Sequence, residues 1–348
     1  MEKKKKVLML GPDRSVHGGI SSVVNQYYEA GLSEWIDLTY IGTMVEGSKI
    51  RKLFQAGMAY FKFCFCLSSC DIVHIHMASD NSYYRKAVFI RTAKRLGKKI
   101  VIHQHGGDFP TFYQKQLNDK GRERVRKTLS MADVFLVLAP AWKSFFENIV
   151  DAGKIVVFPN RIQIPDLAEK HYGQKKLLFL GRICIDKGIR ELLGAVLMLR
   201  RTYPDLHLYL GGIWEDEELK REILRYPETI TFLGWVAGEE KTKILQECDL
   251  FVLPTYYEGQ PVSVLEAMAA GCVVIASSVG GIPQMIEDGK TGMLILPKNQ
   301  QALEEAIEKA LGDTEYDRGL GKAAREKAQK EFSIEKSIEE LVKLYGNI

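Results

Sequence analysis

Residues 250–276 read LFVLPTYYEGQPVSVLEAMAAGCVVIA. Leu250 to Leu253 is a short apolar run of the kind that forms a buried strand. Pro254 ends it, and a loop carries Glu258, Gly259 and Gln260. Pro261 suits the first helical position, where its missing N–H costs nothing. Gly271 suits the helix C-terminus. Val273 to Ala276 is a second apolar run. Strand, helix and strand in this order form a parallel crossover unit. The helix N-terminus then points beyond the strand end, with free N–H groups and the positive end of its dipole, a site for an anion such as a diphosphate. Glu258 stands just before this helix and Glu266 inside it, beside the small residues Ser263, Ala269 and Ala270. A carboxylate accepts two hydroxyl hydrogen bonds at once, which suits the vicinal diol of a ribose or hexose.

The same rhythm runs outward in both directions. Apolar runs at 7–10, 72–76, 100–103 and 134–138 alternate with helix-length segments at 83–96 and 122–131. Pro159-Asn160, Ile164-Pro165 and the polar run to Lys176 read as a linker. Strands are then predicted at 177–180, 206–210 and 230–233, with a helix at 188–201. The reading is an α/β fold of two doubly wound, Rossmann-like domains, 1–165 and 166–330, facing across a cleft. Ligands in such sheets sit beyond the strand carboxyl ends.

Composition narrows the function class. Of 348 residues, 46% are hydrophobic and 26% charged, the balance of a globular protein, and a net charge of +4 is too small to point to nucleic acid. Basic residues cluster at Lys3 to Lys6 and again at Lys115, Lys120, Arg122, Arg124, Arg126 and Lys127. Peripheral contact with an anionic membrane is one reading of these clusters, and a solvated face is the other. The apolar run at 7–10 is too short for a signal peptide, and the stretch 53–69, interrupted by Lys62, suits a buried or interfacial helix better than a spanning one. Cys64, Cys66 and Cys70 lack metal-ligand spacing; core thiols in a reducing cytoplasm are expected, with no metal.

The sequence EGQPVSVLEAMAAGCVVIASSVGGIPQMIEDGKTG (258–292) resembles the E-x7-E signature region of glycosyltransferase family four, whose members have the GT-B fold. The resemblance implies that Glu258 lies against donor sugar hydroxyls and Glu266 against the donor ribose. The backbone of Gly259, Gln260, Pro261 and Val262 would meet the sugar and phosphates. Gln260 stands where many members carry an aromatic residue. The pattern F-L-G-R-x4-K-G at 179–188 is similar to the family's phosphate-binding segment, so Arg182 and Lys187 are implied as diphosphate ligands. Two such cations can neutralise a departing diphosphate without a metal, and no D-x-D pattern accompanies them.

Gly18-Gly19 resembles the family's N-terminal glycine loop and is not a G-x-G-x-x-G, which argues against a dehydrogenase. His105, before Gly106-Gly107, resembles the active-site histidine that contacts the donor sugar; His74, His76 and His103 read as structural. Gly234-Trp235-Val236 is similar to the element beside the nucleobase, and Gly211-Gly212 replaces the family's G-D-G or G-E-G. Pro159-Asn160-Arg161 departs from its P-N-G. The tail has an amphipathic pattern at Ile334, Ile338, Leu341, Val342 and Tyr345, and in GT-B proteins such a helix, here about 331–348, crosses back to the first domain.

The implied activity is transfer of a hexose, with retention, from a nucleotide sugar to a glycan or lipid-linked acceptor in bacterial surface-polysaccharide synthesis. UDP-sugars rank first as donors and GDP-mannose second. His105, Glu258, Arg182 and Lys187 form the implied catalytic group, and no cofactor is called for. A cytoplasmic enzyme, peripheral on the inner face of the plasma membrane, fits the basic-aromatic stretch 44–70. A nucleotide-sugar epimerase and a binding protein without turnover are the alternatives.

Overall fold

The computed structural model describes residues 4–348; Lys3, the first of the basic run, lies outside them. The chain divides into two compact units, one running to Gln163 and joined by Ile334–Ile348, the other Ile164–Ser333.

The first unit contains β1 (Lys6–Gly11), α1 (Gly19–Glu29), α2 (Leu32–Trp35), β2 (Asp37–Gly42), α3 (Lys49–Leu67), β3 (Ile72–Met77), α4 (Asp80–Arg95), β4 (Lys99–Gln104), α5 (Phe109–Thr111), α6 (Asp119–Leu129), β5 (Val134–Val137), α7 (Pro140–Phe146) and β6 (Ile155–Val157). Its sheet has the order β2-β1-β3-β4-β5-β6, and every pair is parallel. β3 is buried along its whole length, as a central strand covered on both faces must be. Alternation divides its side chains between two environments. Val73, Ile75 and Met77 join a core with Phe63 of α3, Phe89 and Ile90 of α4, and Leu129 of α6. His74 and His76 point to the opposite face.

The second unit contains β7 (Lys176–Ile183), α8 (Ile189–Leu199), β8 (His207–Trp214), α9 (Glu217–Ile223), β9 (Ile230–Gly234), α10 (Gly238–Glu247), β10 (Leu250–Leu253), α11 (Val262–Ala269), β11 (Val273–Ser277), α12 (Ile282–Met285), β12 (Met293–Ile295), α13 (Gln300–Gly312) and α14 (Thr314–Glu331). The sheet order is β12-β11-β10-β7-β8-β9, again parallel throughout. The strand order reverses between β7 and β10, and a doubly wound sheet opens a crevice for ligand at that point.

The last helix, α15 (Ile334–Asn347), belongs to the first unit. Ile334 N–H donates to Ile162 O at 2.9 Å. Arg161, which stands where the family motif has glycine, makes a two-pronged contact with Glu340 at 2.7 and 2.8 Å. Arg161 is thus spent on holding this helix. Tyr345 is fully buried and its hydroxyl lies 2.5 Å from His74 Nδ1.

Three local expectations need correction. Pro261 is the N-cap of α11, with extended backbone, and the helix starts at Val262. Gly181-Arg182 and Gly211-Gly212 lie inside β7 and β8, which run on to Ile183 and Trp214; the expected loops after 180 and 210 are strand. β2 and β6, absent from the sequence reading, form the two sheet edges.

Candidate active site

The second unit gathers most of the predicted residues at the carboxyl ends of β7, β8 and β10. After β7 the chain makes a single 3-10 turn at Ile185–Lys187 and enters α8 through Gly188, at φ +69°. A Cβ on Gly188 would lie 2.0 Å from Pro254 O, so only glycine lets this turn press against the end of β10. The two segments are also stitched together: Tyr256 N–H donates to Asp186 O at 2.9 Å, and the Thr255 hydroxyl to the same oxygen at 3.3 Å. This backbone contact carries Lys187 to Glu258, and the Lys187 ammonium meets the Glu258 carboxylate directly. Their side chains are only 11% and 18% exposed, so each charge gains a partner where water is scarce.

α11 follows at once. Its last turn closes with Gly271 N–H on Met268 O at 2.9 Å and Cys272 N–H on Ala267 O at 2.9 Å, with Gly271 at φ +74°. That pair of bonds satisfies the end carbonyls and fixes the helix axis. Gln260 is buried, and Val262 and Pro261 are buried beside it. The loop at Gly259 is held from outside the predicted set. Gly281 N–H donates to Gly259 O at 2.8 Å, and a Cβ on Gly281 would stand 2.2 Å from that oxygen. Glu266, on the second turn, binds the Lys241 ammonium of α10 at 2.6 Å, with side-chain exposures of 12% and 25%.

Lys241 and Gly281 were missed by the sequence reading. Lys241 is one of several charges on an amphipathic helix and gave no signal. Gly281 lay inside the quoted motif, where its glycine pair could have been asked what backbone it touches.

The remaining predicted residues spread around this centre. Arg182 pairs with Glu215 at 2.8 Å, and both are about half exposed. Gly211 leaves room for Val236: a Cβ there would lie 3.0 Å from Val236 Cγ2. Val236 is buried and Trp235 partly exposed.

The first unit holds the rest. Gly18 caps α1 in extended conformation and Gly19 begins it. A Cβ on either would find nothing within 4 Å, so no contact inside the described residues requires glycine there. They follow β1, beside the strand-order switch between β1 and β3. His105 follows β4. Its N–H donates to Met77 O at 2.8 Å, and its Nε2 lies 2.8 Å from His76 Nδ1. His74 and His76 stack at 4.6 Å, and His103 lies 4.0 Å from His105, centroid to centroid. Burial pushes His74 and His105 down to about 3, and His76 and His103 well below their ordinary range, so the stack is neutral. His74, His76 and His103 can bring ring nitrogens within 4.8 Å of one another, the spacing of a metal site. The groups acting electrostatically on His76 are His74, His105 and Lys86, all bases. The four rings form one stack, and through His76 and His103 it holds the ring of His105.

The model for the family "Glycosyl transferases group 1" matches residues 161–327. A D-inositol 3-phosphate glycosyltransferase of Corynebacterium aurimucosum is 31% identical over 326 residues, covering 84% of this chain and 75% of that protein. The chain spans less than half the length of the first curated relatives it matches. Among solved structures, a sucrose-phosphate synthase from Thermosynechococcus elongatus has a TM-score of 0.81 at 21% identity over 99% of both chains. An Anabaena protein solved with UDP and glucose has a TM-score of 0.78 at 18% identity, over 99% of this chain and 100% of that one. At these identities the likeness is one of fold, the two-domain α/β GT-B architecture expected from the sequence.

Proposed function

This chain belongs to the glycosyl transferases of group 1, and we propose that it moves a hexose from a nucleoside diphosphate sugar to a hydroxyl of a glycan or lipid-linked acceptor, with retention at the anomeric carbon. The bond from anomeric carbon to diphosphate breaks, the bond to the acceptor oxygen forms, and the acceptor proton leaves on the diphosphate. The observation that carries the reading is the Lys187–Glu258 contact at the β7/β10 switch point, beside the start of α11.

In this reading the contact is a resting arrangement. A diphosphate arriving at the N-terminus of α11 takes Lys187 as its cation. Glu258 is thereby released to accept hydrogen bonds from sugar hydroxyls. Arg182 exchanges Glu215 for phosphate in the same way. Glu266, positioned by Lys241, holds the ribose diol, and Gly211, Trp235 and Val236 border the base. For Gly18, Gly19 and His105 the roles are those the family resemblance implies; a neutral His105 can offer an N–H or a lone pair to a sugar hydroxyl without adding charge. These cations do the work that a divalent metal does elsewhere. UDP is the favoured carrier, a choice supported by the Anabaena relative solved with UDP and glucose, and GDP-mannose ranks second. Assembly of a bacterial surface polysaccharide is the setting we favour.

A panel of UDP-, GDP- and ADP-sugars, read by melting temperature, tests the donor half. A donor at a hundred times its dissociation constant adds about 2.7 kcal/mol. Glu266→Ala should abolish the shift given by the true donor, and a retained shift would refute the ribose assignment. Release of free nucleoside diphosphate only with acceptor present supports transfer. Isomerised donor, or binding with no turnover, would replace it with another activity.

A further inference from the structure

Helix α3 (Lys49–Leu67) is apolar on two faces. Ala59, Phe63 and Leu67 pack into the core of the first unit. Ile50, Leu53, Phe54, Met58, Phe61 and Phe65 lie on the other side and are 52–82% exposed. At 100° per residue these six fall in one arc of about 140°. At the 150–250 Å² typical of large apolar side chains, the stripe offers roughly 600 Å² or more, beyond the patch of an ordinary monomer. The helix contains no acidic residue; Arg51 and Lys62 border the stripe on one side and Lys49 on the other. α4 packs beside α3, and α6 beside α4. Apart from the buried Lys86, the three helices carry thirteen lysines and arginines against three acidic residues, Asp80, Asp119 and Glu123. The whole chain has a net charge of only +4, so positive charge is concentrated on this layer.

We propose that the outer face of α3 docks on an anionic lipid surface. The apolar stripe enters the boundary between headgroups and acyl chains, while Lys49, Arg51 and Lys62 extend along their stems to the phosphates. The charge on α4 and α6 adds attraction over the same layer. A second copy of this chain is a poor occupant, because it would set the same cations against their like. Among the described residues no helix is long and apolar enough to cross a membrane, so the contact is one of lying on the surface. The inference goes beyond the transfer reading and does not depend on it.

The test is flotation of the full chain with vesicles of phosphatidylcholine alone, and of phosphatidylcholine and phosphatidylglycerol in equal parts. The chain should float with the anionic vesicles, and less so as salt rises. Phe54→Ser with Phe61→Ser should weaken that binding by about tenfold per phenylalanine, while melting temperature and donor binding stay as in the wild type. Lys49→Gln, Arg51→Gln and Lys62→Gln should each cost about fivefold on anionic vesicles. The proposal is overturned if the wild type does not float, if it binds both vesicle types equally, or if the double phenylalanine variant floats unchanged. It is also overturned if the chain sediments as a dimer that this variant splits, for the stripe is then a subunit contact. None of these outcomes touches donor binding, so the transfer reading stands or falls separately.

Discussion

Gly188→Ala probes the stitching of the Lys187 turn to the end of β10. Two costs add. Residue 188 sits at φ +69°, where an L-residue costs about 1–2 kcal/mol. The new methyl would stand 2.0 Å from Pro254 O, a backbone atom that the Tyr256–Asp186 bond helps hold in place. Relieving such an overlap costs about 1–3 kcal/mol. Alanine recovers about 0.4–1 kcal/mol through a less flexible unfolded chain, leaving a net loss of about 2–4 kcal/mol. For a unit of this size each kcal/mol moves the midpoint by about 2–4 °C. Calorimetry of the full chain should therefore show the transition of the second unit lowered by roughly 5–15 °C. Donor affinity should fall as well, since the displaced turn carries Lys187 away from the start of α11, where the diphosphate is proposed to bind. Gly319→Ala is the control: it lies within α14 with nothing within 4 Å of its Cβ, and should be neutral or stabilising. A Gly188→Ala transition within about 2 °C of wild type, with donor binding intact, would refute the argument that this close approach builds the site.

Two further outcomes are expected. Gly19→Ala should leave the melting temperature unchanged or raised, because nothing among the described residues meets the methyl, yet lower kcat/KM by about tenfold or more if the ligand passes there; full activity would remove Gly18-Gly19 from the site. The first unit should lose stability on acidification from pH 6.5 to 5. His74 and His105 are held down to about 3 by burial, so the unfolded chain takes up protons first, with a loss of up to about 1.4 kcal/mol per pH unit for each histidine. Urea melts across this range would show it, and a flat profile would mean that the stack is solvated.

The central strands were legible because both faces of a parallel sheet are covered, so 7–10 and 134–138 read as unbroken apolar runs, and 72–76 and 100–103 as apolar runs interrupted only by histidines. The edges were not. β2 is half exposed, and its Asp37, Thr39 and Tyr40 break any run; β6 has three residues. The α11 segment was legible to within one residue, since proline and glycine act through local backbone geometry. The partners of its carboxylates were only half legible. Lys187 stood in a motif, whereas Lys241 meets Glu266 across 25 positions of sequence, and a tertiary distance leaves no mark on local pattern. The four histidines were visible singly, but their stack depends on register: His76 pairs with His103 across β3 and β4.

The order of synthesis gives α15 a further significance. The first unit begins with β1 but lacks α15 until residues 334–347 are made, after the whole second unit. While the second unit is emerging from the ribosome, His74 has no Tyr345 to meet and Arg161 no Glu340. An unfinished chain therefore lacks the stripe of Ile334, Ile338, Leu341 and Tyr345, all buried in the finished fold, and leaves the apolar surface they cover for chaperones to hold. A chain cut after Ser333 would keep that surface open, whereas the second unit is built from contiguous residues alone, Ile164–Ser333.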